Sequence, residues 1–176
     1  MALRQSDGQQ AVVSDRITMA PPRPRLDRVT GWMSAHALDA LVVTGTDLVN
    51  WLTGYSRYYG GPSALVLDPA GRRTLVVLRD EVPVAERLAD ADRIVGYGER
   101  GFGLELSPLP LLAAAVLGTG AISSAARIGF AGEHGGHIAA GITADMGRGG
   151  GAGASTVPAD DALHRMSLVK DGDELA

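Results

Sequence analysis

The sequence predicts an α/β domain whose mixed sheet is covered by helices on both faces. Three observations predict it. Short apolar runs of strand length recur at residues 40–44, 63–68, 74–79, 93–97 and 127–130. Segments with helical spacing of apolar residues lie between most of them, the alternation that places a sheet between helical layers. Two of the runs are joined by Asp68-Pro69-Ala70-Gly71. There Pro69 fixes φ and Gly71 permits a positive one, so these two strands are antiparallel neighbours and the sheet is not wholly parallel.

The elements follow in order. The first 24 residues are polar, then rich in proline (Pro21, Pro22, Pro24), and predict a loosely attached arm, so the domain begins near Arg25. A helix is expected over 25–38, with Leu26, Val29, Met33 and Ala37 on one face and His36 half-buried at its margin. Residues 40–44 form a continuously apolar strand, the pattern of burial on both faces. Thr46 or Asp47 caps a short helix through Leu52, and Gly54 ends it in a left-handed conformation. After the hairpin of 63–68 and 74–79, Asp80 caps a helix with Pro83 in its first turn and a stripe of Val82, Ala85 and Leu88 or Ala89.

A strand over 93–97 leads into a loop over 98–106, then an apolar helix over 108–117 that Gly118 and Gly120 end. The strand at 127–130 precedes a helix over 136–146 with Ile138, Ile142 and Met146 on one side. Residues 147–153 form a glycine loop, 155–158 an edge strand and 160–169 a last amphipathic helix (Ala162, Leu163, Met166, Val169).

The chain of 176 residues is long enough for one domain with a sizeable core. The net charge of −4 and the dispersed Lys and Arg give no electrostatic reason to expect nucleic acid or a membrane as partner. The absence of cysteine excludes disulfides, thiolate metal sites and a cysteine nucleophile, and fits a reducing cytoplasm. The N-terminus lacks the apolar core of a signal peptide. The longest apolar run, 109–117, is interrupted by Pro110 and is too short to span a bilayer. The expectation is a soluble, cytoplasmic protein.

Four motifs bear on chemistry. Glu133-His134-Gly135-Gly136-His137 places two histidines three apart beside a carboxylate. The glycines fall where a helix should start and no further ligand is close in sequence, so a loop-to-helix junction is expected rather than a metal site. Gly96-Tyr97-Gly98-Glu99-Arg100-Gly101 matches G-x-G-x-x-G after a strand. No helix opens at the third glycine, because Pro108 comes first. Asp160, Asp161, Asp171, Asp173 and Glu174 read as a solvated face around the last helix. The fourth motif is Tyr55-Ser56-Arg57-Tyr58-Tyr59, three tyrosines and an arginine in a glycine-bounded loop. Tyr and Arg are favoured where a surface buries against a ligand or partner, so Tyr55, Arg57, Tyr58 and Tyr59 are the candidate interface or site-lining residues.

These residues carry a resemblance. Asp39-Ala40-Leu41-Val42-Val43 after an arginine-rich helix, Asn50-Trp51-Leu52-Thr53-Gly54-Tyr55, the hairpin Ala64-Leu65-Val66-Leu67 with Thr74-Leu75-Val76-Val77, and Arg127-Ile128-Gly129-Phe130 resemble, in order and spacing, the N-terminal domain of the creatinase/prolidase/Xaa-Pro aminopeptidase family. The terminal stretch from Leu163 to Ala176 resembles the segment that joins this domain to the catalytic one. The resemblance implies a three-layer α/β/α structure of ribonuclease H-like topology. It implies domains at 25–160 and a linker helix at 161–176 leading toward a catalytic domain outside this chain.

It also implies that this chain holds no metal and does not hydrolyse substrate alone. The longer parent would hold two divalent ions (Mn, Co or Zn) in its catalytic domain and act as a metal-dependent Xaa-Pro peptidase-like hydrolase. This domain would pair subunits, as a dimer, and shape the active-site entrance through the loop from Tyr55 to Gly61. Creatinases carry an aromatic residue and an arginine in that loop. Tyr59 takes the aromatic place, but Gly61 stands where the arginine would be, which favours a peptidase-like relative. The alternatives are a self-standing module that binds a small ligand through the tyrosine loop or the turn at 96–101, and a purely structural dimerisation domain.

Overall fold

The computed structural model describes residues 23–56, 61–99, 108–123, 126–148 and 154–169. Its centre is β1 (Ala40–Thr44), every residue of which is buried. β1 pairs antiparallel with β2 (Ala64–Leu67), and β2 antiparallel with β3 (Arg73–Leu78). β4 (Arg93–Tyr97) lies parallel to β3 at one edge. On the other side of β1, β5 (Arg127–Ala131) and then β6 (Ser155–Pro158) run parallel to it. The order is β4-β3-β2-β1-β5-β6, and β2 alone runs against the rest. This is the mixed, ribonuclease H-like arrangement that the resemblance implies.

The alternation of side chains along each strand feeds two cores. Leu41, Val43, Leu65, Leu67, Leu75 and Val77 face one layer. That layer is made by α1 (Arg23–Ala35), α2 (Thr46–Thr53), α3 (Val82–Leu88) and α6 (Asp160–Ser167). Ala40, Val42, Ala64, Val66 and Val76 face the other, made by α4 (Pro108–Gly118) and α5 (Gly135–Arg148). Burial on both faces is why the central strands read as unbroken apolar runs. Each fully buried leucine among them contributes about 1.5–3 kcal/mol.

The strands lie within a residue of their expected ends, and the helix ends show where tertiary structure decided. α1 stops at Ala35, not at 38. Ala37 takes a left-handed φ of 50°, and Leu38 N–H returns to the Met33 carbonyl (2.9 Å), a Schellman-type stop made without glycine. Ala37 is therefore exposed rather than on the apolar face. His36 is exposed beyond the helix, its ring 4.4 Å from that of Trp32.

Neither Thr46 nor Asp47 caps α2. The N-cap is Gly45 and makes no side-chain bond, whereas Gly54 ends the helix left-handed (φ 69°) as expected. Asp80 likewise does not cap. It sits in a single 3₁₀ turn, Arg79–Glu81, that leads into α3. In α3 Leu88 is exposed and Ala89 takes the packed position. Helix α6 ends at Ser167, so Val169 lies beyond it and is exposed. Part of the expected linker segment is seated in the core, because Leu163 is fully buried.

The hairpin turn is held by Asp68. One carboxylate oxygen accepts from the backbone N–H groups of Ala70 (2.9 Å) and Arg72 (3.0 Å), and the other from Arg72 Nε (2.6 Å). Burial pushes this carboxyl up, but the Arg72 side chain, the two N–H groups and the guanidinium charge outweigh it and hold it below its ordinary value. A depressed folded pKa contributes stability above the unfolded value, and that contribution is lost as pH falls through the folded one. Urea titrations should therefore show the parent losing an increment of stability below about pH 4 that Asp68→Asn lacks. The increment is under about 1 kcal/mol, because Arg72 is exposed. Identical acid limbs for the two proteins would remove the carboxylate from the account of the turn.

Candidate functional site

The candidate surface leaves the domain where α2 ends. Thr53 Oγ1 donates to the Val49 carbonyl (2.6 Å) and accepts from the Tyr55 N–H (3.2 Å), so the chain turns out of the helix on a fixed path. Asn50 Nδ2 reaches Ser56 Oγ at 2.7 Å. Beneath this exit lies a part-buried ion pair. Arg73, 8% exposed, meets Asp90 through both guanidinium nitrogens (2.9 and 3.0 Å) and the Leu52 carbonyl at 3.4 Å. Asp90 N–H donates to the Thr53 carbonyl (2.8 Å). The start of β3 and the end of β1–α2 are thereby tied together from opposite ends of the hairpin. The buried guanidinium is compatible with the core because its fork is matched bidentately.

Tyr55 is not a surface residue. Its side chain is 0% exposed, and its hydroxyl donates to Glu81 Oε2 at 2.9 Å. The expectation that it lines an interface or entrance is corrected. The first aromatic of the cluster turns inward because a fully buried carboxylate waits for it. Arg57, Tyr58 and Tyr59 lie outside the described residues.

The returning end of the segment is also fixed. Tyr97 Oη donates to the Pro62 carbonyl (2.6 Å). A Cβ added to Gly61 would stand 2.2 Å from Leu78 Cδ1, so glycine lets the backbone close on that leucine. Glu81 and Tyr97 were missed from sequence. Glu81 follows Asp80 in the charged run Arg79-Asp80-Glu81. No local spacing shows that its partner lies 26 residues away.

The remaining motifs find structural uses. Residues 132–134 form a turn, in which the His134 N–H donates to Thr44 Oγ1 (3.1 Å), and α5 opens at Gly135. Glu133 and His137 are exposed, and His134 is half-buried. Among the described residues no three His, Asp or Glu side chains are grouped to hold a metal ion. In the G-x-G-x-x-G stretch, a Cβ on Gly96 would meet Val82 Cγ2 at 2.8 Å and Arg79 Cα at 3.1 Å. Its role is close packing of the 3₁₀ turn and α3 on β4. A shallow crevice opens at the carboxyl ends of β1 and β5, lined by Thr44–Leu48, Gly132 and Glu133. Among the described residues no helix is long and apolar enough to cross a membrane.

Comparison with known proteins bears on this geometry. A family model described as the creatinase/prolidase N-terminal domain matches residues 25–166. No curated protein matches the chain. A solved Xaa-Pro aminopeptidase from Streptococcus pyogenes superposes with a TM-score of 0.56 at 18% identity, covering 82% of this chain and 95% of that one. The prolidase from Pyrococcus horikoshii gives 0.62 at 12% identity, covering 86% of this chain and 37% of that one. The N-terminal domain of a cytoplasmic peptidase from Mycobacterium tuberculosis gives 0.54 at 19% identity, covering 81% and 98%. At these identities the likeness is one of fold. The chain spans little more than a third of the length of the Pyrococcus prolidase.

Proposed function

We propose, from the premise that this chain belongs to the creatinase/prolidase N-terminal domain family, that it is the non-catalytic domain of a metal-dependent Xaa-Pro peptidase-like hydrolase. Its work is to pair subunits and to shape the entrance of an active site carried by a separate catalytic domain. That domain would hold two divalent ions, Mn, Co or Zn, and the longer protein would act in the cytoplasm. The observation that carries the reading is the family match over 25–166, which runs from α1 into α6.

The entrance role falls to Arg57, Tyr58 and Tyr59. Both ends of their segment are rooted, by Tyr55 on Glu81 and by Pro62 under Tyr97. Rooted ends lower the entropy lost when a loop meets a ligand. Gly61, standing where a creatinase would carry its arginine, favours a peptidase-like relative over a creatinase. An arginine at that position would need Leu78 to move.

Two measurements test the reading. Sedimentation over a range of concentrations is expected to show a dimer, and a monomer at the highest concentration would overturn the pairing role. Xaa-Pro dipeptides with added Mn²⁺ or Co²⁺ are expected to turn over at background, and metal-dependent turnover by this chain would overturn the non-catalytic assignment.

A further inference from the structure

At the amino ends of β1, β3 and β4, on the sheet face that carries α4 and α5, a cavity of about 480 Å³ opens. Small-molecule sites span about 300–1,000 Å³, so it is large enough for one. Val66 of β2 and Thr74 of β3, which pair in register, form its floor. The turn Thr119-Gly120-Ala121, just after α4, closes one side. Space remains under that turn, because Gly120 has φ +74° and no atom lies within 4 Å of a Cβ added to it. Four charged residues, Asp39, Arg72, Asp92 and Arg93, stand around the opening. Each is anchored through part of its head group. Asp39 Oδ2 accepts from the Arg127 N–H and Asp92 Oδ2 from the Arg73 N–H, both at 2.7 Å. Arg72 Nε donates to Asp68 (2.6 Å) and Arg93 Nη1 to the Thr119 carbonyl (3.2 Å). Among the described residues, Oδ1 of both aspartates, both Nη atoms of Arg72 and Nη2 of Arg93 have no protein partner.

We propose that this cavity binds a small zwitterion, a free α-amino acid, with its carboxylate on Arg72 and Arg93 and its ammonium on Asp92. The mixture of signs carries the choice of ligand. A polyanion would meet Asp39 and Asp92, and a metal cation or polyamine would meet Arg72 and Arg93, so each faces like charge as well as opposite. A ligand with one group of each sign satisfies both sets. Guanidinium groups with free nitrogens suit a carboxylate, which they can grip with two parallel hydrogen bonds. Arg72 and Asp92 precede β3 and β4, which are paired neighbours. Neighbouring strands lie about 5 Å apart, the scale on which an α-amino acid carries its two charges. Asp39, on the β1 side, disfavours a ligand with a second anionic group there. The Thr74 hydroxyl on the floor offers a hydrogen bond to a polar side chain. The site does not rest on the peptidase reading and holds whether or not that reading does.

The test is a titration of the full chain, followed by the backbone amide resonances of Thr74, Gly120 and Ala121. Glycine and L-glutamine at millimolar concentration are expected to move these resonances saturably. Methylamine, acetate and inorganic phosphate, each with charge of one sign, are expected to leave them in place. Arg93→Gln and Asp92→Asn are each expected to weaken glutamine binding by about tenfold, the loss of one charge-assisted hydrogen bond. Both positions are exposed, and asparagine at 92 keeps an oxygen for the Arg73 N–H, so both variants are expected to keep the parent's urea midpoint. Resonances that neither amino acid moves saturably overturn the proposal. So does an equal response to acetate or phosphate, because the site is then an anion patch, and so does an Asp92→Asn protein that binds glutamine as the parent does. The ligand panel on the unaltered protein decides the matter even where a variant fails to fold.

Discussion

Gly132→Ala is expected to unfold the domain or to lower its stability by on the order of 4–5 kcal/mol, at the extreme of single-residue effects. Gly132 follows β5, beside the carboxyl end of β1, and has φ +97°. A Cβ built there stands 1.6 Å from the Thr44 carbonyl oxygen, 2.4 Å from its carbon and 3.0 Å from its hydroxyl oxygen. The clash is with backbone at the centre of the sheet, so no rotamer change relieves it, and the left-handed φ adds strain that an alanine pays in full. Thr44 cannot yield easily. It is fully buried, its hydroxyl donates to the Ala131 carbonyl (3.1 Å), and the same oxygen accepts from the His134 N–H.

The control is Gly31→Ala in the middle of α1, where nothing lies within 4 Å of the added carbon. There the expected change is a gain of roughly 0.5–1 kcal/mol from helix propensity. Urea midpoints of the two variants, measured side by side, should move in opposite directions. A Gly132→Ala protein within 1 kcal/mol of the parent would mean that the seam between β1 and β5 is not closed as described.

The contrast between these glycines shows what the sequence could and could not reveal. The strands were legible because burial on both faces writes a local signature, as at Ala40–Thr44. The hairpin was legible because Asp68 and Gly71 are chemically suited to the turn they make. Helix ends were less so. Thr46, Asp47 and Asp80 are good capping residues by type, yet none caps, because the caps here are settled by how each helix meets the sheet. The stop at Ala37 uses an alanine in a conformation that glycine normally supplies. At the candidate site the sequence identified the segment but misassigned its first aromatic. Surface enrichment of Tyr and Arg is a statement about composition, whereas the fate of Tyr55 is set by Glu81 across the fold.

That reassignment makes Tyr55 the decisive substitution where the chain leaves α2. Were it an exposed entrance residue, Tyr55→Ala would stay within about 0.5 kcal/mol of the parent. As a fully buried aromatic bonded to a fully buried carboxylate, it is expected to cost about 3–5 kcal/mol. Tyr55→Phe separates the two contributions. It keeps the ring and removes only the donor, leaving Glu81 one hydrogen bond short in the core, at a cost of about 1–3 kcal/mol. Glu81→Gln keeps an acceptor for the tyrosine hydroxyl while removing the charge, so combining it with Tyr55→Phe should be less damaging than the sum of the two. A chemical-denaturation cycle over the four proteins reads this coupling directly. Additive losses would mean that the tyrosine hydroxyl bonds a glutamine at 81 as well as it bonds the glutamate. A neutral Tyr55→Ala would return the residue to the surface and with it the full tyrosine cluster to the entrance.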